Sequence, residues 1–189
     1  MTVLLLGLVA APLAAQEQPV QRVPRVHSGF WIGVGAGLGY NMTDFGGVTR
    51  GGFSGYFRLG GTVSQRLMLG FEVAGWGKEE TGRTVTRANG SFVAAYYPSV
   101  AGGFFAKAGI GGSSVSDEQV QGNTTTTVTE DGLGATVGAG YDIRLGRNMY
   151  LTPNLDVLFQ FIGRKNDPVL GNIPGTNTIV LFTLGLTWH

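Results

Sequence analysis

Residues 29–40 read GFWIGVGAGLGY, with Phe30, Ile32, Val34, Ala36, Leu38 and Tyr40 on one parity and Gly33, Gly35, Gly37 and Gly39 on the other. A period of two makes two faces only in an extended strand, because successive side chains there point to opposite sides. One face of this strand is apolar and the other is nearly bare. The pattern returns along the chain. In 52–63, Phe53, Phe57, Leu59 and Val63 alternate with Ser54, Tyr56, Arg58, Gly60 and Thr62; in 67–76, Leu67, Leu69, Phe71 and Val73 alternate with Met68, Gly70, Glu72 and Ala74. Segments 90–97, 103–112, 132–145, 149–162 and 178–188 repeat it, which makes about eight strands of roughly the 9–11 residues that a tilted strand needs to cross a bilayer.

The connections alternate in length. Residues 64–66, 98–102 and 146–148 read as tight turns, whereas 41–51, 77–89, 113–131 and 163–177 read as long polar loops rich in Gly, Thr, Asn and Asp. An up-and-down barrel across an outer membrane has this asymmetry, with short periplasmic turns and longer loops outside. The most polar loop, QGNTTTTVTEDG (121–132), reads as solvated coil, with an extension of the strands above the membrane as the alternative. Ahead of the strands, MTVLLLGLVAAPLAAQ has an apolar run too short to span a bilayer and ends in small residues. It predicts a signal peptide over 1–15, a short periplasmic segment over 16–28 and one barrel domain over 29–189.

Charged residues are 13% of the chain, against about 25% in soluble proteins. A net charge of +1 offers no footprint for nucleic acid, and without cysteine an exported product has no disulfides. The same alternation also admits an inverted, lipocalin-like barrel with its apolar face inside, and Gly29-Phe30-Trp31 fits the Gly-x-Trp at the start of that family. Its exterior would then be mostly Gly, Ala, Thr and Ser with few charges, a poor surface for solubility. Lipid outside removes the difficulty. Aromatic placement agrees: Phe30, Tyr96, Phe104, Tyr141 and Trp188 fall toward one rim and Tyr40, Phe53, Phe92, Phe159 and Phe161 toward the other.

The lumen parity then holds Arg58, Glu72, Lys107, Asp142, Arg144 and Asp156, with Tyr56, Tyr97, Tyr150 and Gln160. These charges must be paired or hydrated, and an interior of about eight strands is just wide enough for side chains to fill. Hairpin register without a bulge sets Val63 against Leu67, Leu59 against Phe71, Arg58 against Glu72, Leu145 against Met149 and Asp142 against Thr152. The glycines lack the spacing of a nucleotide loop. His27 and His189 are the histidines of the chain, both at the periplasmic rim, which leaves no base beside a nucleophile and no ligand cluster. The expectation is therefore no enzyme, no cofactor and no metal.

The whole mature chain resembles the small outer-membrane β-barrel family that includes the OmpA transmembrane domain and OmpX, on GFWIGVGAGLGY, AYYPSVAGGFFAKAGIGG and FTLGLTWH. The resemblance implies an all-β, eight-stranded antiparallel up-and-down transmembrane β-barrel in the bacterial outer membrane, monomeric and in contact with outer-membrane lipid. Phe182, Leu184, Leu186 and Trp188 resemble the terminal signal read by the barrel assembly machinery, here followed by His189. For function it implies a non-enzymatic barrel whose loops serve structural, adhesion or surface-protection roles toward an unspecified ligand. A narrow channel or small-solute conduit is the alternative.

Overall fold

The computed structural model describes residues 28–43, 50–121, 124–163, 165–167, 171–173 and 175–189. The long strands are β1 Phe30–Asn41, β2 Gly51–Ser64, β3 Leu67–Glu80, β4 Arg83–Tyr96, β5 Phe104–Gln121, β6 Thr124–Tyr141, β7 Met149–Ile162 and β8 Thr176–Trp188. Each pairs antiparallel with its neighbours in sequence, and β8 pairs with β1 as well as β7, so the sheet closes into an eight-stranded barrel. Ile143–Arg144 continues β6 against β7, and Lys165–Asp167 pairs with Gly171–Ile173 between β7 and β8.

Alternation along each strand sorts the side chains. Phe53, Ile110 and Leu133 are 79%, 75% and 72% exposed on the outside, while Trp31, Trp76, Leu158 and Leu181 are buried inside. An apolar belt of this extent is foreign to a soluble surface and suits lipid; the inverted barrel is thereby excluded. The bare face of β1 also finds its reason. A Cβ on Gly35 would lie 2.3 Å from the Tyr56 ring, one on Gly39 2.5 Å from Trp76, and one on Gly33 2.9 Å from Arg58 Nε. The glycines of β1 make room for three large inward side chains from β2 and β3.

Four expectations need correction. The β2–β3 register pairs Ser64 with Leu67 and Thr62 with Met68, leaving Val63 in an irregularity rather than opposite Leu67. Ser64 Oγ accepts the amides of Arg66 (3.3 Å) and Leu67 (3.1 Å), and this hydroxyl-capped turn shortens the connection to 65–66, which forces the bulge.

Second, 77–89 is no loop: β3 and β4 stay paired out to Glu80↔Arg83, and Gly82 turns at φ +75°. Third, 113–131 is strand on both sides of the tip, with β5 and β6 paired out to Gln121↔Thr124, the strand-extension alternative. Beyond the lipid the outward face meets water and is polar, while Val85, Ser113, Val115 and Asp117 are buried inward, so the apolar-outward alternation lapses although the ladder continues. Fourth, lengthening β4 moves Phe92, which pairs with Phe71 and Ile110, away from the outer rim. The expected signal peptide at 1–15, His27, and most of the segment 16–28 lie outside the described residues, as do 44–49 and 122–123 within two expected loops.

Candidate functional site

Four strands each send one charge to the middle of the lumen, because Arg58 on β2, Glu72 on β3, Lys107 on β5 and Asp156 on β7 all occupy inward positions, each 5% exposed or less. Arg58 and Glu72 are register partners at 4.0 Å. The closer partner of Glu72 is Lys107, whose ammonium donates to it and also stands 3.2 Å from Asp156 Oδ2. Two cations meet two carboxylates, so the group is formally neutral, the arrangement that buried charge requires.

Arg58 is held from several sides. It donates to Asn154 Oδ1 (3.3 Å) and Thr187 Oγ1 (3.2 Å), and its guanidinium lies 4.7 Å from the centre of the Tyr56 ring and 5.3 Å from that of Phe105. Asn154 in turn donates to the Tyr56 hydroxyl at 3.1 Å.

Apolar clusters lie to both sides of this charged tier. Toward the long hairpins, Tyr56, Ala74, Trp76, Val85, Leu158, Ile179 and Leu181 pack together; toward the short turns, Trp31, Met68, Ala95, Tyr97 and Phe105 do so. Between the charges and the second cluster, a lumenal pocket of about 10 Å³ is bordered by Trp31, Glu72 and Lys107, which is about the room one water needs. Near the outer end, Gln160 donates to Asn89 Oδ1 at 3.0 Å and Arg87 to the Ser116 carbonyl at 3.0 Å. Still farther out, Arg83 Nε donates to Asp117 Oδ1 at 2.8 Å.

Asp142 stands apart from the central four at the barrel's base. It accepts from the Tyr97 and Thr152 hydroxyls, each at 2.7 Å, with His189 Nε2 at 3.8 Å. Thr152 and Thr187 share a hydrogen bond of 3.0 Å and connect it to Arg58.

Arg144 does not belong to the lumen. It is exposed, and its guanidinium donates to the carbonyls of Gly146 (2.9 Å) and Arg147 (3.3 Å). Its parity is that of the lumen, but the filled interior ends at Asp142, so the next inward position already opens to the rim. The residues that complete the group, Thr152 and Asn154, share the parity of Asp156 and Gln160 on β7, and counting back along that strand finds them. Thr187 and His189 are reached only through barrel closure. On β8, Phe182, Leu184 and Trp188 face outward and exposed, with Leu186 half-buried among them.

No family model matches the chain, and no curated protein matches it. Among solved structures, Neisserial surface protein A (NspA) superposes with a TM-score of 0.59 at 15% identity, over 85% of this chain and 97% of that one. Ail, the attachment invasion locus protein of Yersinia pestis, gives 0.59 at 9% identity over 86% and 99%. A major outer membrane protein from Thermus thermophilus gives 0.59 at 13% over 85% and 98%. At such identities the likeness is one of fold. This chain has the fold of the small eight-stranded outer-membrane β-barrels, with the apolar belt that such a barrel turns to lipid.

Proposed function

We propose that this chain is a non-enzymatic protein of the bacterial outer membrane, monomeric in lipid, whose barrel is closed to solutes and whose outer ends meet the surroundings of the cell. The observation that carries the reading is the lumen: a neutral tier of Arg58, Glu72, Lys107 and Asp156 between two packed apolar clusters. Conduction needs a continuous hydrated path, and the pocket beside the charges has room for about one water.

The outer ends have the opposite character. β5 and β6 run to 18 residues each, well past the 9–11 or so that cross a bilayer, and their outer portions carry Ser, Thr and acidic side chains. Ail, which shares the fold, is named for attachment and invasion, and a rigid stalk of paired strands presenting polar tips fits a role of that kind. Insertion would pass through the barrel assembly machinery by way of Phe182, Leu184, Leu186 and Trp188.

Two measurements test this. Wild-type barrel in planar bilayers should show almost no steady conductance, and removing 116–129 should abolish binding of cells or matrix by the surface-displayed protein while leaving a folded barrel. Steady conductance or solute flux in liposomes would replace the closed barrel with the narrow channel.

A further inference from the structure

We propose that the β6–β7 turn holds the phosphate of an anionic phospholipid in the leaflet at the barrel's short-turn end. The inference rests on the membrane reading above and adds a specific lipid contact to it. The turns at this end, 64–67, 97–103 and 142–149, carry Arg66, Arg144 and Arg147, and Asp142 is the one carboxylate side chain among them. Asp142 is fully buried and engaged with Tyr97, Thr152 and His189. It therefore leaves the exposed arginines without a counter-charge from these turns. Exposed and half-buried carboxylates such as Glu79, Glu118 and Asp131 stand at the far end of the barrel.

The β6–β7 turn carries two of these exposed cations, Arg144 and Arg147. The guanidinium of Arg144 bonds the main-chain carbonyls of Gly146 and Arg147, which holds it against the backbone of the turn. Two exposed arginines three residues apart on one turn favour a multivalent anion, and a phosphate matches the planar donor fork of arginine.

Depth points to lipid as its source. Ile143 and Leu145 alternate with Arg144, are 44% and 52% exposed, and continue the outward apolar face of β6. Tyr141 at the end of β6 and Trp188 at the end of β8, exposed on either side of β7, have the amphipathic rings that prefer the membrane–water boundary. Apolar side chains thus stand at acyl depth on the outer face, and the exposed turn that follows them carries Arg144 and Arg147 at the rim, the level of the headgroups.

The test refolds the chain into vesicles of equal parts phosphatidylglycerol and phosphatidylcholine, extracts it gently and counts retained lipids by native mass spectrometry. Wild type should retain phosphatidylglycerol preferentially, and the preference should fall about fivefold for each arginine removed in Arg144→Gln and Arg147→Gln. It should also weaken as salt rises. Arg147→Gln alone guards against misfolding, since the Arg147 guanidinium takes no part in the hydrogen bonds of the turn, and Arg83→Gln at the far end should change nothing. Equal retention of both lipids by folded wild type, or an unchanged preference in the folded variants, would overturn the headgroup site. Displacement of the lipid by inorganic phosphate at equal concentration would overturn lipid as the source. Failure to fold into any vesicle would instead overturn the membrane reading beneath it.

Discussion

Lys107 on β5 and Asp156 on β7 stand 3.2 Å apart, Nζ to Oδ2, although their strands are not hydrogen-bonded to each other. The pair spans β6, whose Gly138 is the register partner of both residues, and with Glu72 on β3 it ties three non-adjacent strands to one ammonium group. Backbone ladders join only neighbours around a barrel. A contact that skips a strand inside the lumen resists a different deformation, the local flattening of the cylinder.

Breaking this group should therefore be costly. Lys107→Met leaves Glu72 and Asp156 facing each other in a confined interior, a loss of about 3–5 kcal/mol for a buried pair deprived of one partner. A double-mutant cycle on Glu72 and Lys107, read by unfolding titrations in lipid, should give a larger coupling energy than one on Glu72 and Arg58. The reason is distance: Lys107 is hydrogen-bonded to Glu72, whereas Arg58 stands off at 4.0 Å and spends its donors on Asn154 and Thr187. Equal couplings would show that the register partner matters as much as the one two strands away.

The outward face yields a second expectation. Leu59 sits on the belt, opposite Phe71 on β3 and Ile32 on β1. Leu59→Arg should cost about 2–4 kcal/mol, the penalty for a cation near the bilayer midplane. Thr62→Arg, on the inward parity close to the rim, should escape that penalty. Unfolding titrations that show no loss for Leu59→Arg would reverse the assignment of faces.

The comparison of sequence and structure divides along physical lines. Arg58 opposite Glu72 is legible in the sequence because a hairpin register follows from parity and a short turn, both local. Lys107 beside Asp156 is not, since that contact needs two registers in succession, Lys107 with Gly138 across β5–β6 and Gly138 with Asp156 across β6–β7, and the first is set by a long polar hairpin whose pairing the hydropathy does not show. The strands beyond the lipid, such as Thr84–Val85–Thr86 at the outer end of β4, look like loop in the sequence because their outward side chains meet water and are polar while the apolar Val85 packs inside, which breaks the apolar-outward alternation; their partners Glu79, Lys78 and Gly77 on β3 hold them extended all the same. Arg144 departs from expectation for the opposite reason, a parity carried one residue past the point where the interior ends.

A third prediction concerns the end of β8. Trp188 pairs with Ile32 and Met149 and is 37% exposed on the outer face, while His189 turns toward Asp142 inside. If Phe182, Leu184, Leu186 and Trp188 are read as an assembly signal, Trp188→Ala should lower the yield of heat-modifiable folded barrel in cells more than His189→Ala does. His189→Ala should instead act on the purified protein, by removing a neighbour of the buried Asp142 carboxylate. Equal yields for wild type and Trp188→Ala would set the signal aside.

The last prediction returns to the glycines of β1. A methyl group on Gly37 would lie 2.0 Å from the Phe182 carbonyl oxygen and 2.8 Å from the Thr183 Cα, both backbone atoms of the paired strand β8. Neither can rotate away as a side-chain tip would. β1 and β8 form the seam where the barrel closes, so room for that methyl group has to come from spreading the seam or twisting both strands. Gly37→Ala should thus destabilise the barrel by about 1–3 kcal/mol, the usual cost of overfilling a packed interior. Gly61 is the control: it lies on β2, pairs with Phe30 and Leu69, and a Cβ there meets nothing within 4 Å. Alanine at Gly61 should be neutral or slightly stabilising, because the strand loses backbone freedom in the unfolded chain and encounters no clash in the folded one. Urea unfolding of the two variants in the same vesicles measures the difference. Equal midpoints would mean that the alternating glycines of the opening strand are not there to let two backbones and the Tyr56, Trp76 and Arg58 side chains approach.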